Sequence, residues 1–184
     1  NSIDIPDNIT SIEDGAFYGS GLTSITIPDS VTYIGENVFE KCKSLTSLNL
    51  SNNINTIPAL CLGNCINLKS IEIPEKVETI GKKAFYDCES LKEIKLNENV
   101  TSIEEGAFEA CFGVEEITIP NSITEIKEKT FEHCTNLRNC NLPDTVTSIG
   151  KSSFDGCEEL ASIKIPKLIT EIKEETFKGC EKLK

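Results

Sequence analysis

A chain of 184 residues that is 38% hydrophobic and 26% charged lies within the range of ordinary globular proteins and can bury a sizeable core. Its formal net charge of −12 argues against nucleic acid or an anionic membrane surface as partner, because attraction to phosphates needs clustered Lys and Arg that release counterions. No apolar run approaches the roughly 18 residues of a membrane span, so no membrane insertion by this segment is expected.

With no Trp and no Met, the core must be built from Ile, Leu, Val, Phe and Cys. From the N-terminus, Ile3, Ile5, Pro6, Ile9, Ile12 and Phe17 set a pattern that is repeated to the end of the chain. Leu22, Leu45, Leu68, Leu91, Val114, Leu137, Leu160 and Leu183 are each separated by 23 residues. Behind each Leu come an apolar pair such as Ile25 and Ile27, usually a Pro (Pro28, Pro74, Pro120, Pro143, Pro166), a second pair such as Val31 and Ile34, a Phe, and a Cys. About eight coils result. We number them by the Phe column: Phe17, Phe39, Leu62, Phe85, Phe108, Phe131, Phe154 and Phe177 mark coils 1 to 8. Coil 1 is one residue short and lacks the Cys.

Within a coil, Ser24-Ile25-Thr26-Ile27 alternates polar and apolar residues, the period of a half-buried strand. Pro28 ends it, since proline has no amide for a continuing ladder, and Asp29-Ser30 turns the corner. Val31 and Ile34 return the chain as a short extended piece. Val38, Phe39 and Cys42, three and four apart, are expected to share one face of a single helical turn. One such unit cannot bury its apolar face alone, whereas stacked units make a continuous core.

The pattern Cys-x-x-Leu-x-x-Ile-x-Ile-Pro-x-x-Val-x-x-Ile-Gly-x-x-Ala-Phe-x-x-Cys, complete from Cys65 to Cys88, resembles the BspA-like (Treponema-type) leucine-rich repeats. The likeness spans the whole chain and departs most in coil 3, where Ser51, Pro58 and Leu62 replace Pro, Gly and Phe. It implies a leucine-rich-repeat solenoid, a right-handed coil of 23-residue repeats with a parallel β-sheet on the concave face and short extended or one-turn helical segments elsewhere. It also implies a surface-exposed or secreted, adhesin-type protein that binds other proteins. The alternative is an intracellular structural or scaffold repeat within a larger assembly. The array opens at Ile3 inside a strand and stops at Leu183-Lys184 as the next should begin, without polar caps. Residues 1–184 are therefore expected to be one array cut from a longer one.

The nine cysteines are the most conspicuous chemical groups, yet seven of them (Cys42, Cys65, Cys88, Cys111, Cys134, Cys157, Cys180) share one repeat column. A tetrahedral metal shell needs convergent ligands, and His133 is the only imidazole. Side chains in one column of a stacked sheet keep their Cβ atoms about 4.8 Å apart, wider than the roughly 3.5–4.5 Å of a disulfide. The expectation is buried free thiols acting as small hydrophobes, with no metal and no cofactor. His133 beside Cys134 lacks a third orienting group, and the paired acidic residues Glu104-Glu105, Glu115-Glu116 and Glu174-Glu175 fall in solvent-facing columns, so no catalysis is expected. Asn8, Asn49 and Asn99 begin Asn-x-Ser/Thr sequons.

What remains for binding is the outward side of the strands: Ser24, Ser47, Ser70, Glu93, Glu116, Asn139 and Ser162, beside Thr26, Asn49, Glu72, Lys95, Thr118, Asn141 and Lys164. Neither column holds an aromatic residue or Arg, the types that dominate binding hot spots. Leu60, Ile66 and Phe112, apolar in mostly polar columns off the strands, form a competing patch.

Overall fold

The computed structural model describes residues 2–184 and contains thirteen strands and, among the described residues, no helix. Six are the expected longer strands, β2 (Ser24–Thr26), β4 (Ser47–Asn49), β6 (Ser70–Glu72), β8 (Glu93–Lys95), β10 (Glu116–Thr118) and β12 (Asn139–Asn141). Seven are the short returns, β1 (Ser11–Ile12), β3 (Tyr33–Ile34), β5 (Thr56–Ile57), β7 (Thr79–Ile80), β9 (Ser102–Ile103), β11 (Glu125–Ile126) and β13 (Ser148–Ile149). In each long strand the middle residue is buried and its neighbours are exposed, as the alternation requires. The equivalent segments of coils 1 and 8 do not form long strands.

All pairing is parallel and in register by one repeat, with Ser24 opposite Ser47, Ile25 opposite Leu48 and Thr26 opposite Asn49. The short first coil shows in its register, since Ser11 faces Tyr33, only 22 residues on. The ladders are interrupted. β2 pairs only β4, β6 only β8 and β10 only β12, while the short strands fall into β1-β3, β5-β7-β9 and β11-β13.

The expected helical turn over Val38, Phe39 and Cys42 is not present, and a run of overlapping tight turns stands in its place. Alternate amides bond three residues back within the coil, as in Cys42 N–H to Phe39 O (3.0 Å). The others reach the next coil, as in Phe39 N–H to Cys61 O (2.9 Å) and Lys41 N–H to Gly63 O (2.8 Å). A helix would have kept all these bonds to itself. Two columns four residues apart take positive φ, including Gly15, Asn37 and Gly106 in one and Gly19, Asn64 and His133 in the other. That is the third position of a type II turn, where Gly and Asn are least strained.

At the corner after β2, β6, β10 and β12, the Pro carbonyl accepts the amide three residues on, as in Val77 N–H to Pro74 O (3.0 Å), and after β8 Asn97 O takes that place (3.2 Å). Coil 3 keeps its corner without proline: the buried Ser51 hydroxyl donates to Val31 O (2.6 Å) and accepts from Asn53 N–H (3.1 Å). The core between the strands and the turn row is apolar and fully buried at Phe39, Phe85, Phe108, Phe131 and Phe154. Phe85, Phe108, Phe131, Phe154 and Phe177 stack in sequence at centroid distances of 5.4–5.7 Å, and Phe17 stacks on Phe39 at 5.5 Å. Leu62 interrupts the column between Phe39 and Phe85.

Gly81 shows how closely the coils approach. A Cβ there would lie 2.6 Å from Ala59 N and from Pro58 C, both backbone atoms of the preceding coil. The Gly81→Ala variant must part coils 3 and 4, and we expect a loss of about 1–3 kcal/mol, read as a lower urea midpoint. An unchanged midpoint would show that the coils can separate without cost.

Candidate functional site

The fourteen outward residues of the strand columns, from Ser24 and Thr26 to Ser162 and Lys164, are all exposed, those of coil 8 lying outside any strand. Few of them bond to one another. Asn49 Nδ2 donates to Thr26 Oγ1 (3.2 Å) and Asn141 Nδ2 to Thr118 Oγ1 (3.3 Å), each linking a pair of joined strands. Lys164 pairs with Asp144 at 2.7 Å.

Two interruptions of the ladder open grooves on this face. Between β8 and β10 lies one of about 730 Å³, floored by Ile94, Leu96 and Ile117 and walled by Lys92, Glu93, Lys95, Glu98, Glu115 and Glu116. Glu93 and Glu116 occupy equivalent positions in adjacent coils, and like charges side by side oppose strand pairing. Between β4 and β6 lies a groove of about 400 Å³, lined by Ser47, Asn49, Asn52, Ser70, Glu72 and Glu75. No like-charged pair explains that second gap.

The competing residues off the strands are less available than expected, since Leu60, Ile66 and Phe112 are each half-buried. The sequon residues Asn8, Asn49 and Asn99 are exposed, although Asn99 Nδ2 already donates to Glu75 O (2.9 Å).

All nine cysteines are free thiols, buried except for the half-buried Cys180. They are more than small hydrophobes. Each thiol of the column donates to the carbonyl of the Phe-column residue one coil earlier, as in Cys65 to Phe39 O (3.1 Å), Cys88 to Leu62 O (3.2 Å), Cys111 to Phe85 O (3.1 Å) and Cys134 to Phe108 O (3.1 Å). In coil 1 the missing cysteine is replaced by Ser20, whose Oγ lies 3.3 Å from Cys42 Sγ. That acceptor is a backbone atom 26 residues upstream for six of the seven thiols, so no spacing rule could have found it.

Burial pushes the Cys61 and Cys134 thiols up to about 12, and those of Cys88 and Cys140 higher still. Cys134 is therefore a poor nucleophile, and its thiol is committed to Phe108 O. The adjacent His133 is exposed, with φ of 60° and its amide bonded to Asp155 O at 2.7 Å. It stands in the second of the two positive-φ columns, with Lys41, Asn64, Asp87 and Ala110. Glu104 is held below the usual carboxylate range by its bonds to Lys127, at 2.7 and 2.6 Å, and to Ser102. Among the described residues no group of three His, Cys, Asp or Glu is placed to hold a metal ion, and no helix is long and apolar enough to cross a membrane.

Stacked 23-residue coils, a core of repeating columns and an exposed polar strand face define a leucine-rich-repeat β-solenoid. The pattern of the BspA type leucine rich repeat region matches residues 1–70 and 56–184 in six copies, and the chain belongs to that family. The solved leucine-rich-repeat protein of T. pallidum is 30% identical, with a TM-score of 0.83 over 86% of this chain and 77% of that one. A leucine-rich-repeat protein from Bacteroides ovatus is 27% identical, with a TM-score of 0.73 over 92% of this chain and 52% of that one, so this chain spans about half of its length. The pneumococcal vaccine antigen PcpA shares the fold at 22% identity and a TM-score of 0.52, over 88% of this chain and 55% of that one. No curated protein matches the chain.

Raised thiol pKa values fix a pH dependence. Unfolded thiols ionise near 9.0, while Cys61 and Cys134 in the folded chain ionise near 12. Above pH 9 the unfolded state therefore binds fewer protons, and stability falls as pH climbs from about 9 towards 12. We expect the urea midpoint to drop between pH 8 and pH 10.5. At pH 8, a thiol reagent should label Cys180, raised only to about 11, before the others. Rapid labelling of all nine in the folded chain would contradict the packing.

Proposed function

We propose that this chain is a non-catalytic binding module that meets a protein partner across its long-strand face, in a surface-exposed or secreted, adhesin-type protein. The observation that carries the reading is the exposed double row from Ser24 and Thr26 to Asn139 and Asn141, repeated at every coil and left with few internal partners. A row of polar side chains on three strand pairs carried by the stacked coils can bond a partner without first ordering its own backbone. The family supports the same reading; without aromatic or Arg anchors, the contact is spread over many coils and is not held in one tight pocket.

The β8/β10 groove is the larger of the two on that face, and its Lys and Glu walls fit a partner carrying both charges. The triple variant Asn49→Arg, Glu72→Arg, Glu116→Arg places bulk and positive charge along the face without touching the core. Binding to a partner purified by affinity to the wild-type chain should weaken at least about tenfold, measured by biolayer interferometry. Turn-row variants such as Lys41→Ala should leave it intact. Equal loss from both sets would move the site off the strands. Protease shaving of intact cells tests the placement, since an intracellular scaffold would survive it.

A further inference from the structure

The joint between coils 2 and 3 is open at the short-strand face, as are those at Lys127 of coil 6 and Lys173 of coil 8, but for a reason of its own. In coils 2, 4, 5 and 7 the residue after the second Ile donates its amide to the preceding coil: Gly35 to Ile12 O (2.8 Å), Gly81 to Ile57 O (2.7 Å), Glu104 to Ile80 O (2.9 Å) and Gly150 to Ile126 O (2.7 Å). In coil 3 that residue is Pro58, which has no amide. No backbone hydrogen bond joins β3 to β5, so the carbonyls of Thr32 and Ile34 receive nothing from coil 3. A groove of about 400 Å³ opens there, floored by the buried Ile34, Ile54 and Pro58 and bordered by Ala59 and Glu36.

Tyr33 stands at its lip with half of its surface exposed (51%) and is the only aromatic residue in the outward column of the short strands. An exposed Tyr above an apolar floor has the make-up of a binding hot spot. The surroundings are acidic: Glu36 lines the groove, Asp14 accepts the Glu36 amide (2.8 Å), and Glu78 is joined by its amide to Asn55 O (2.9 Å); all three are exposed, and none forms an ion pair among the described residues. The gap between β9 and β11 is unlike this one, for it is lined by Glu and Lys with Lys127 paired to Glu104, and it holds no aromatic residue.

We propose that the Tyr33–Pro58 groove is a second docking site, which takes an extended segment of a protein partner carrying basic side chains beside apolar ones. The apolar side chains rest on Tyr33 and Pro58, and the basic ones meet the carboxylate of Glu36 and those of its neighbours Asp14 and Glu78. Extension of the segment sets its amides against the free carbonyls of Thr32 and Ile34, the mode by which a peptide joins an open sheet edge. The site rests on the reading of the chain as a protein-binding module but shares no residue with the long-strand face.

The test uses the full chain and a fluorescein-labelled six-residue peptide of alternating Lys and Val, followed by fluorescence anisotropy at physiological salt. Saturable binding is expected, with none for the matching Glu/Val peptide. Tyr33→Ser keeps every charge and should weaken binding about tenfold or more with an unchanged melting profile. Pro58→Gly supplies the missing amide, closes β3 onto β5, and should abolish binding while the amide at position 58 gains protection from hydrogen exchange. No binding, equal binding of both peptides, or full affinity in Tyr33→Ser would overturn the proposal, the last by showing attraction to net charge alone. Those results leave the long-strand reading standing, because that reading is measured on Asn49, Glu72 and Glu116.

Discussion

The structure depends on the row of turn amides that reach across to the next coil. From Phe17 N–H to Val38 O (3.0 Å) through Phe154 N–H to Thr176 O (3.0 Å), this bonding occurs at every joint, including joints where the strand ladders are open. Each carbonyl at the Phe position from Phe39 to Phe154 takes a Cys amide from its own coil and a thiol from the next. Both of its lone pairs are used in an interior that water does not enter. Cysteine suits that position because it is apolar enough to be buried and still offers a weak donor. Alanine would leave the second lone pair unused.

Since the turn row fixes the spacing of the coils, the aromatic column follows it. Rings 5.4–5.7 Å apart are near the spacing of paired strands, so stacking reinforces a distance already set by the backbone. The strands are thereby released from holding the solenoid together. β8 can stand apart from β10, with Glu93 and Glu116 side by side, because the amides of Gly106, Phe108 and Ala110 still bind coil 6 beneath them.

The columns were legible in the sequence because stacking places like on like, and each position is read eight times over. The shortened first coil was equally legible and reappears as a register of 22. The turn row was misread. Overlapping turns bring positions three apart together much as a helix does, so Phe39 and Cys42 satisfied the helical spacing. The distinguishing signal lay in two columns four apart where Gly and Asn recur, at Gly15, Asn37 and Gly106 and at Gly19, Asn64 and Gly156, the residues that best tolerate positive φ. The strand face was placed correctly, as alternation of polar and apolar residues admits only one assignment of inside and outside. Its grooves were not legible, because a gap between strands depends on backbone register.

Coil 3 shows what a solenoid does with departures from its own rule. Stability here is a sum over neighbouring coils, so one coil can vary if its joints hold. Ser51 replaces a proline and restores the corner with its own hydroxyl. Leu62 replaces a phenylalanine and breaks the ring stack, yet its carbonyl still receives the Cys88 thiol and its amide still reaches Ala84 O at 2.9 Å. Pro58 has no such substitute: the lost amide is made good by no other group, and two carbonyls of coil 2 stay open to the groove. Among three departures in one coil, Ser51 is repaired by its own hydroxyl, Leu62 loses the ring stack but keeps the backbone bonds of the joint, and Pro58 is left unrepaired beneath an exposed tyrosine. At that position Gly35, Gly81, Glu104 and Gly150 each give an amide to the preceding coil, so in coil 3 the proline gives up a joint bond and keeps the groove beneath Tyr33.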